Sequence, residues 1–280
     1  MELNLSIETQ PGKLTPYLHL DELLIEHARS LERATTKNFV GMYLIGSLAV
    51  GFMVVTKDEL DREALAAIQM AHSEYLARND RWPTHLEYSF FPMEKLQTLS
   101  SPFDESHRSP LTDRLLWYIN GPSPERSDHD NTLVTRWTLR ERGVRVLGPE
   151  PASFAPVVDP DELRKEIRNS IRGWDRERVL TRGWDRDEGE LSSSPHYNRF
   201  HQAFFVLNYC RALQGLHEGR ISSKRDGVAW AKIHLEPRWH SLIDFCWQDI
   251  HVAQPADPDV FRDVIKFSAY ATRLAEEHDP

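Results

Sequence analysis

The chain has 280 residues, a formal net charge of −9 at pH 7, and 40% hydrophobic and 28% charged residues. This length allows one large or two ordinary domains. The negative charge disfavours a general nucleic-acid binder, which usually has a basic surface, and suits a protein that handles a cationic ligand. No apolar run approaches the ~20 residues that span a bilayer, so we expect a cytoplasmic protein that is neither exported nor membrane-embedded.

Hydrophobic patterning predicts an α/β first half. Residues 20–33 have apolar side chains at helical spacing, and the apolar runs at 39–45 and 52–56 are typical of buried strands. The elements predicted next, in chain order, are a helix at 58–77, an alternating strand at 85–91, a helix at 131–142 that ends at Gly143, and a strand at 144–147.

The pattern becomes helical after Pro149. Prolines at 151, 156 and 160 precede a series of segments with helical spacing, and no convincing strand follows. The predicted helices are 161–171, 197–216, 227–234, 239–252 and 258–275. We therefore place a domain boundary near residue 155, giving an α/β domain of residues 1–155 and a helical bundle of residues 156–280.

Two smaller features have structural interpretations. Cys210 and Cys246 stand far apart in apolar stretches, which predicts buried thiols in a reducing cytoplasm. The sequence Arg-Gly-Trp-Asp-Arg occurs at 172–176 and again at 182–186, within a charged and serine-rich stretch. We interpret this repeat as a duplicated, exposed loop.

The junction between the first strand and Gly46-Ser47 is the most suggestive local feature for chemistry. A glycine lets the backbone approach a phosphate, and the serine hydroxyl and backbone N–H groups can donate hydrogen bonds to it. Gly-Ser is also common in ordinary turns, so the pair alone is weak evidence of a phosphate site.

Four segments in order resemble one family. Tyr43-Leu-Ile-Gly-Ser-Leu-Ala-Val-Gly51 resembles the opening motif of polymerase-β-type nucleotidyltransferases, most closely the streptomycin and spectinomycin adenylyltransferases. Leu86-Glu87-Tyr88 is similar to the family's later carboxylate strand, and residues 137–149 to its helix and strand that end in Gly-Pro. Residues 219–231 resemble its Ile-x-x-Lys stretch and Trp-Ala helix. The chain is thus identified by resemblance as an aminoglycoside nucleotidyltransferase.

The resemblance implies a fold and a reaction. The fold is an α/β nucleotidyltransferase domain, a mixed sheet with helices, followed by an all-α helical bundle that binds substrate. The reaction transfers AMP from ATP to a hydroxyl of an aminoglycoside and confers antibiotic resistance, with ATP and Mg²⁺ as cofactors. The implied partner is a small-molecule aminoglycoside, with no nucleic acid and no membrane, and the implied state is a monomer. Adenylation of a protein or another small molecule remains an alternative, since fold does not determine substrate.

The resemblance also assigns roles to residues. Glu87 is the general base that accepts the proton of the sugar hydroxyl; the rival interpretation is a solvated residue on the polar face of a strand. Gly46, Ser47 and Lys224 are expected to contact the nucleotide phosphates. Arg211 matches a family arginine on the nucleotide side, and the alternative is an arginine buried by an ion pair.

Two candidates concern the antibiotic. Trp117 could pack on the ring of the drug, although its pattern favours an ordinary core tryptophan. His201 stands where the streptomycin enzymes have an aspartate that helps to hold the cationic drug. This difference disfavours streptomycin itself as the substrate.

The largest departure from the family lies between Gly51 and Phe52. The family has an Asp-x-Asp pair there that binds magnesium, whereas this chain passes directly into the strand. Asp58 and Asp61 suit an N-cap and the first turn of a helix better than metal binding. Two readings remain open: the natural protein has a further segment that carries the aspartates, or the protein is a catalytically inactive member that binds a nucleotide or a drug.

Overall fold

The computed structural model describes residues 14–45, 51–77, 87–98, 114–121, 123–180, 198–249, 252, 254–255 and 257–277, without the side chains of residues 175–180. The chain divides into two compact units, Met1–Val158 and Asp159–Pro280. The boundary predicted near residue 155 lies close to this division.

The N-terminal unit is built on a mixed sheet. Its described elements are α1 (Leu18–Thr35), β1 (Phe39–Leu44), β2 (Gly51–Thr56), α2 (Arg62–Leu76), β3 (Glu87–Pro92), α3 (Met93–Gln97), β4 (Leu116–Ile119), β5 (Glu125–Ser127), α4 (Leu133–Arg142) and β6 (Val144–Leu147). The six strands lie in the order β5-β4-β3-β2-β1-β6, in which only β2 and β3 pair in parallel. The predicted α/β first half is confirmed.

Helices cover both faces of this sheet. One face packs on α1 and α2 through Leu24, Phe52 and Ile68, and the other packs on α3 and α4 through Met53, Leu96 and Leu139. Strands covered on both sides are apolar at nearly every position, and β2 and β3 are buried throughout after their first residues. The alternating pattern expected for 85–91 is therefore wrong.

A close approach of two glycines explains the Gly-Pro ending of β6. Gly148 has a φ of +113°, and a Cβ atom there would lie 2.6 Å from the carbonyl oxygen of Val40 and 2.7 Å from the Cα of Gly41. The Tyr43 hydroxyl donates a hydrogen bond of 3.0 Å to the carbonyl of Pro149 beside this contact. Only glycine tolerates both the backbone conformation and the crowding.

The C-terminal unit is helical in its described residues. Its helices are α5 (Pro160–Leu180), α6 (Arg199–Glu218), α7 (Lys224–His234), α8 (His240–Asp249) and α9 (Pro258–Glu277). Helix α6 is the central element, because α5, α7, α8 and α9 all pack on it. Its buried face includes Cys210, and both this cysteine and Cys246 are buried and free, as predicted. No helix among the described residues is long and apolar enough to cross a membrane.

The prediction of an exposed loop is wrong for the first copy of the repeated motif. Residues 172–176 lie inside α5. The Trp174 ring packs edge-on against Tyr209 with centroids 5.4 Å apart, and Arg172 donates two hydrogen bonds of 2.6 Å to Glu276. These contacts attach the segment to α6 and α9. The second copy, at 182–186, lies outside the described residues.

Candidate functional site

Glu87 lies at the start of β3, beside the start of β2. The parallel register pairs it with Gly51, so the first residues of the two strands are neighbours. Ser89 is two residues along β3 and therefore shares its sheet face, and Tyr118 lies opposite Ser89 on β4. One end of this face thus presents a carboxylate and two hydroxyl groups.

A histidine that the sequence analysis missed completes this cluster. His129 lies in the loop between β5 and α4, and its Nε2 is 3.6 Å from Glu87 Oε1 and 3.9 Å from Asp130 Oδ1. The Ser89 hydroxyl donates a hydrogen bond of 2.5 Å to Asp130, and the His129 and Tyr118 ring centroids are 5.7 Å apart. The only sequence signal was the polar run Asp128-His129-Asp130 between a strand and a helix.

These groups shift each other's protonation. The hydrogen bond with His129 lowers the pKa of Glu87 below its ordinary value of 4.5, against the opposing effect of burial. The same hydrogen bond raises the pKa of His129 above 6.5. Burial raises the pKa of Asp130 above 3.8, and its hydrogen bond from Ser89 partly offsets this shift. Glu87 is therefore ionised at neutral pH and faces a histidine with increased affinity for a proton.

Trp117 is on the other face of the sheet. Its strand neighbour Tyr118 shares the face of Glu87, so Trp117 points the opposite way and packs on the apolar cluster beneath α1 and α2. The Arg126 guanidinium lies 4.9 Å from its ring centroid. The structure does not bring Trp117 together with Glu87.

The remaining N-terminal candidates lie near the β1–β2 connection. Gly46 and Ser47 are outside the described residues, so their predicted phosphate contacts stay a prediction. The Ile45 backbone N–H donates a hydrogen bond of 3.2 Å to the Gly51 carbonyl, which brings the ends of the two strands together. Asp61 is the N-cap of α2 and accepts a hydrogen bond of 2.8 Å from Ala64 N–H. The prediction of Asp58 as the N-cap and Asp61 in the first turn is therefore wrong, because the helix begins at Arg62.

In the C-terminal unit, Arg211 and Lys224 form a pair of neighbouring cations. Arg211 donates a hydrogen bond of 3.1 Å to Asn208 Oδ1, and Lys224 Nζ lies 4.7 Å from the Phe204 ring centroid. Burial, and then the charge of Arg211, lower the pKa of Lys224 to about 8. No carboxylate in the described part of the chain counters either charge. The alternative of an ion-paired Arg211 therefore finds no partner there.

Gly227 lets α7 approach α6 closely enough to form this pair. A Cβ atom at Gly227 would lie 2.8 Å from the Cα and 2.9 Å from the N of Arg211. The first turn of α7 begins at Lys224 with a capping box, in which Ser223 and Asp226 exchange hydrogen bonds between side chain and backbone. The cap and the glycine together place Lys224 beside Arg211.

His201 is at the start of α6, in the same unit. Its Nδ1 lies 3.0 Å from Asn198 Oδ1, and its ring meets Phe200 edge-on with centroids 5.4 Å apart. Asn198 also accepts a hydrogen bond from the His201 backbone as the N-cap of the helix. These contacts hold the ring locally and leave the predicted contact with the drug as a prediction.

The comparison with known families concerns the C-terminal unit. Residues 156–272 match the family model described as the aminoglycoside adenylyltransferase C-terminal domain. The C-terminal unit is therefore similar to the C-terminal domain of the aminoglycoside adenylyltransferases. No curated protein sequence gives a significant match.

A solved structure extends the likeness in fold to both units of this chain. This chain is similar in fold to a spectinomycin adenyltransferase from Enterococcus faecialis that was crystallised with ATP and spectinomycin. The TM-score is 0.62 at 10% sequence identity, and the match covers 92% of this chain and 99% of that one. At this identity the likeness shows the fold alone, and it confirms the predicted fold class: a mixed sheet with helices, followed by a helical region.

Proposed function

We propose that this chain transfers AMP from ATP to a hydroxyl of an aminoglycoside-type antibiotic. The observation that carries the proposal is the Arg211–Lys224 pair, two neighbouring cations without a described counter-ion, in the unit that matches the adenylyltransferase family. A bound triphosphate would relieve their mutual repulsion and accept their hydrogen bonds. We assign this pair to the ATP phosphates.

The N-terminal cluster supports the proton transfer that the reaction needs. The oxygen of the sugar hydroxyl attacks the α-phosphorus of ATP, the bond from that phosphorus to the pyrophosphate breaks, and the hydroxyl proton must be accepted. Glu87 is ionised and half-exposed, so it can accept the proton from an approaching hydroxyl. His129, 3.6 Å away, orients this carboxylate and shares the proton with it.

A cationic drug suits the same cluster. Glu87 and Asp130 place two carboxylates around one imidazole, and an ammonium group of the antibiotic can form an ion pair with them when His129 is neutral. The net charge of −9 also favours the approach of a cation. Trp117 and His201 remain proposed drug contacts, although Trp117 would have to act from the opposite face of the sheet.

Magnesium, which the family resemblance implies, does not fit the described residues. Mg²⁺ prefers carboxylate oxygens, but β2 contributes Gly51 beside Glu87 and continues with apolar side chains. No group of three or more His, Cys, Asp or Glu side chains in the described residues could hold a metal ion.

This misfit favours a second candidate function, the binding of a nucleotide or drug without transfer. A triphosphate without its metal keeps its repulsion toward an incoming oxygen. The phosphate contacts of Arg211 and Lys224 do not depend on the carboxylates that β2 lacks, so binding would persist where transfer fails.

One experiment separates the two candidates. The purified chain is incubated with radiolabelled ATP, Mg²⁺ and a panel of aminoglycosides, and ATP binding is measured by calorimetry. Label transfer to a drug supports the proposal, and ATP binding without transfer supports the second candidate. If the chain neither binds ATP nor transfers label, both are wrong.

Two lysine variants on α7 test the phosphate assignment. Lys224→Ala should weaken ATP binding by about tenfold or more, because a charge-assisted hydrogen bond to phosphate is worth about 1.5–3 kcal/mol. Lys232→Ala is the matched control, since Lys232 lies on the same helix and pairs with Asp244 at 2.5 Å. Equal ATP affinities in the two variants would contradict the assignment of Lys224.

A further inference from the structure

Two histidines meet where α6 and α7 end side by side. His217, in the last turn of α6, and His234, the last residue of α7, have ring centroids 5.6 Å apart. Trp230 stacks on His234 with centroids 4.6 Å apart and an interplanar angle of 12°, and its ring is 5.8 Å from that of His217. Both histidines are exposed. This trio, His217, Trp230 and His234, plays no part in the proposed transfer reaction.

A hydrogen bond sets the tautomer of His234. Its Nδ1 lies 2.9 Å from the backbone carbonyl of Trp230, and a carbonyl oxygen can only accept, so Nδ1 carries the hydrogen. The neutral ring then has its free lone pair on Nε2. Histidines that bind metals are oriented by this kind of hydrogen bond, and the stacked Trp230 ring further restricts rotation.

The spacing of the two rings fits a shared metal ion. A metal about 2.0–2.1 Å from an imidazole nitrogen lies about 3.2 Å from the ring centroid, so rings 5.6 Å apart correspond to an angle of about 120° at the metal. Zinc prefers a nearly tetrahedral arrangement, and the exposed His217 side chain can rotate to adjust. The C-terminal ends of both helices carry partial negative charge, which also favours a cation.

We propose that His217 and His234 form a surface site for a divalent transition-metal ion, Zn²⁺, Cu²⁺ or Ni²⁺. Water would fill the remaining coordination positions, because the described residues contain no group of three metal-binding side chains. Imidazole nitrogen suits these ions, whereas Mg²⁺ prefers oxygen. The site therefore differs in its chemistry from any magnesium site of the transfer reaction, and it does not depend on that reaction.

Zinc calorimetry in a buffer with excess Mg²⁺ tests the proposal on the full chain. We expect His217→Ala and His234→Ala each to weaken the binding of one Zn²⁺ by about tenfold or more. Both side chains are exposed, so the variants should keep the wild-type circular dichroism spectrum. His19→Ala, at an exposed histidine of α1, is the control and should bind Zn²⁺ as the wild type does. Zinc affinity unchanged in both His217→Ala and His234→Ala would overturn the proposal.

Tryptophan fluorescence gives a second readout. Cu²⁺ quenches nearby indole rings, and Trp230 is stacked directly on one proposed ligand. Trp230→Phe should remove the part of the Cu²⁺ quenching that saturates at low metal concentration, and His217→Ala should shift that part to higher concentration. Quenching that is the same in the wild type and in both variants would place copper elsewhere and contradict the site.

Discussion

Two carboxylates of the N-terminal unit lie close to one nitrogen atom. His129 Nε2 lies within 4 Å of oxygens of both Glu87 and Asp130. The pKa of Glu87 is lowered, whereas the pKa of Asp130 is raised. The histidine keeps the Glu87 carboxylate ionised, whereas burial favours the protonated form of Asp130. Two carboxylates near one histidine therefore differ in how readily they take up a proton, and the next two predictions concern Glu87 and His129.

Glu87→Gln should lower turnover roughly 10²- to 10⁴-fold while ATP affinity changes little, because the amide keeps the size of the side chain but cannot accept the proton. Initial rates and calorimetric ATP affinity are the measurements. Glu94→Gln, at an exposed glutamate of α3, is the control. Turnover that survives Glu87→Gln would make Glu87 an ordinary strand residue.

His129 should determine the pH dependence of turnover. The pKa of His129 is raised above 6.5, and the protonated ring pairs with the Glu87 carboxylate that should accept the hydroxyl proton. The transfer rate should therefore rise with pH as His129 loses its proton, through an apparent pKa above 6.5. In His129→Gln, the acidic limb should move down toward 4.5, the ordinary value for Glu87. Profiles of kcat against pH for the two proteins measure this shift. An acidic limb at the same pH in both would exclude His129 from the proton transfer.

At the level of elements, the contact between α6 and α7 organises the C-terminal unit. Gly227 lies against the backbone of Arg211, so the two helices approach each other more closely than side chains would allow. Farther along the same helix pair, His234 reaches His217. One packing contact therefore positions both the cation pair and the proposed metal ligands.

Gly227→Ala should destabilise the protein by about 1–3 kcal/mol and weaken ATP binding, because a methyl group there overlaps the α6 backbone, which cannot move aside cheaply. Gly173→Ala is the matched control: it lies within α5, and a Cβ atom there meets nothing within 4 Å. Alanine at that position should stabilise the protein by up to about 1 kcal/mol and leave ATP binding unchanged. Urea denaturation and calorimetry measure both effects. Equal stability changes in the two variants would show that α7 does not depend on this contact.

For the whole molecule, a buried aromatic cluster in the N-terminal unit connects stability to pH. His72 is 2% exposed, its Nδ1 lies 3.1 Å from the Tyr88 hydroxyl, and its ring is 6.4 Å from that of the buried His27. Burial lowers the pKa of His72 below 6.5. The folded protein therefore favours the neutral ring, while the unfolded chain takes up a proton near the ordinary value.

The free energy of unfolding should decrease as the pH falls below 6.5, because the unfolded state then binds a proton at His72 that the folded state resists. The loss continues until the pH reaches the lower folded pKa. Urea denaturation at about pH 7.5 and about pH 5.5 measures this loss, at about 1.4 kcal/mol per unit of pKa shift. His72→Gln should reduce the difference between the two pH values, and His19→Gln, at an exposed position, should not. An unchanged pH dependence in His72→Gln would assign the effect to other groups.

Much of the architecture follows from local patterns. Apolar runs and helical spacing predict β1, β2 and β6 and all five helices of the C-terminal unit, because burial of one face or of both faces leaves its own periodicity in the sequence. Neither β4 nor β5 was predicted. The first copy of the repeated motif was assigned to a loop because its charges mask the side chain that packs inward, Trp174.

The sequence by itself determined the order of the two units, the limits of most elements and the motifs that carry the family resemblance. Only the tertiary structure decided which side chains meet. His129 reaches Glu87 from a loop far along the chain, Lys224 meets Arg211 because Gly227 permits a close crossing, and Trp117 faces away from Glu87. Periodicity records whether a residue is buried, but a contact between distant residues depends on strand register and helix crossing, which no local pattern encodes.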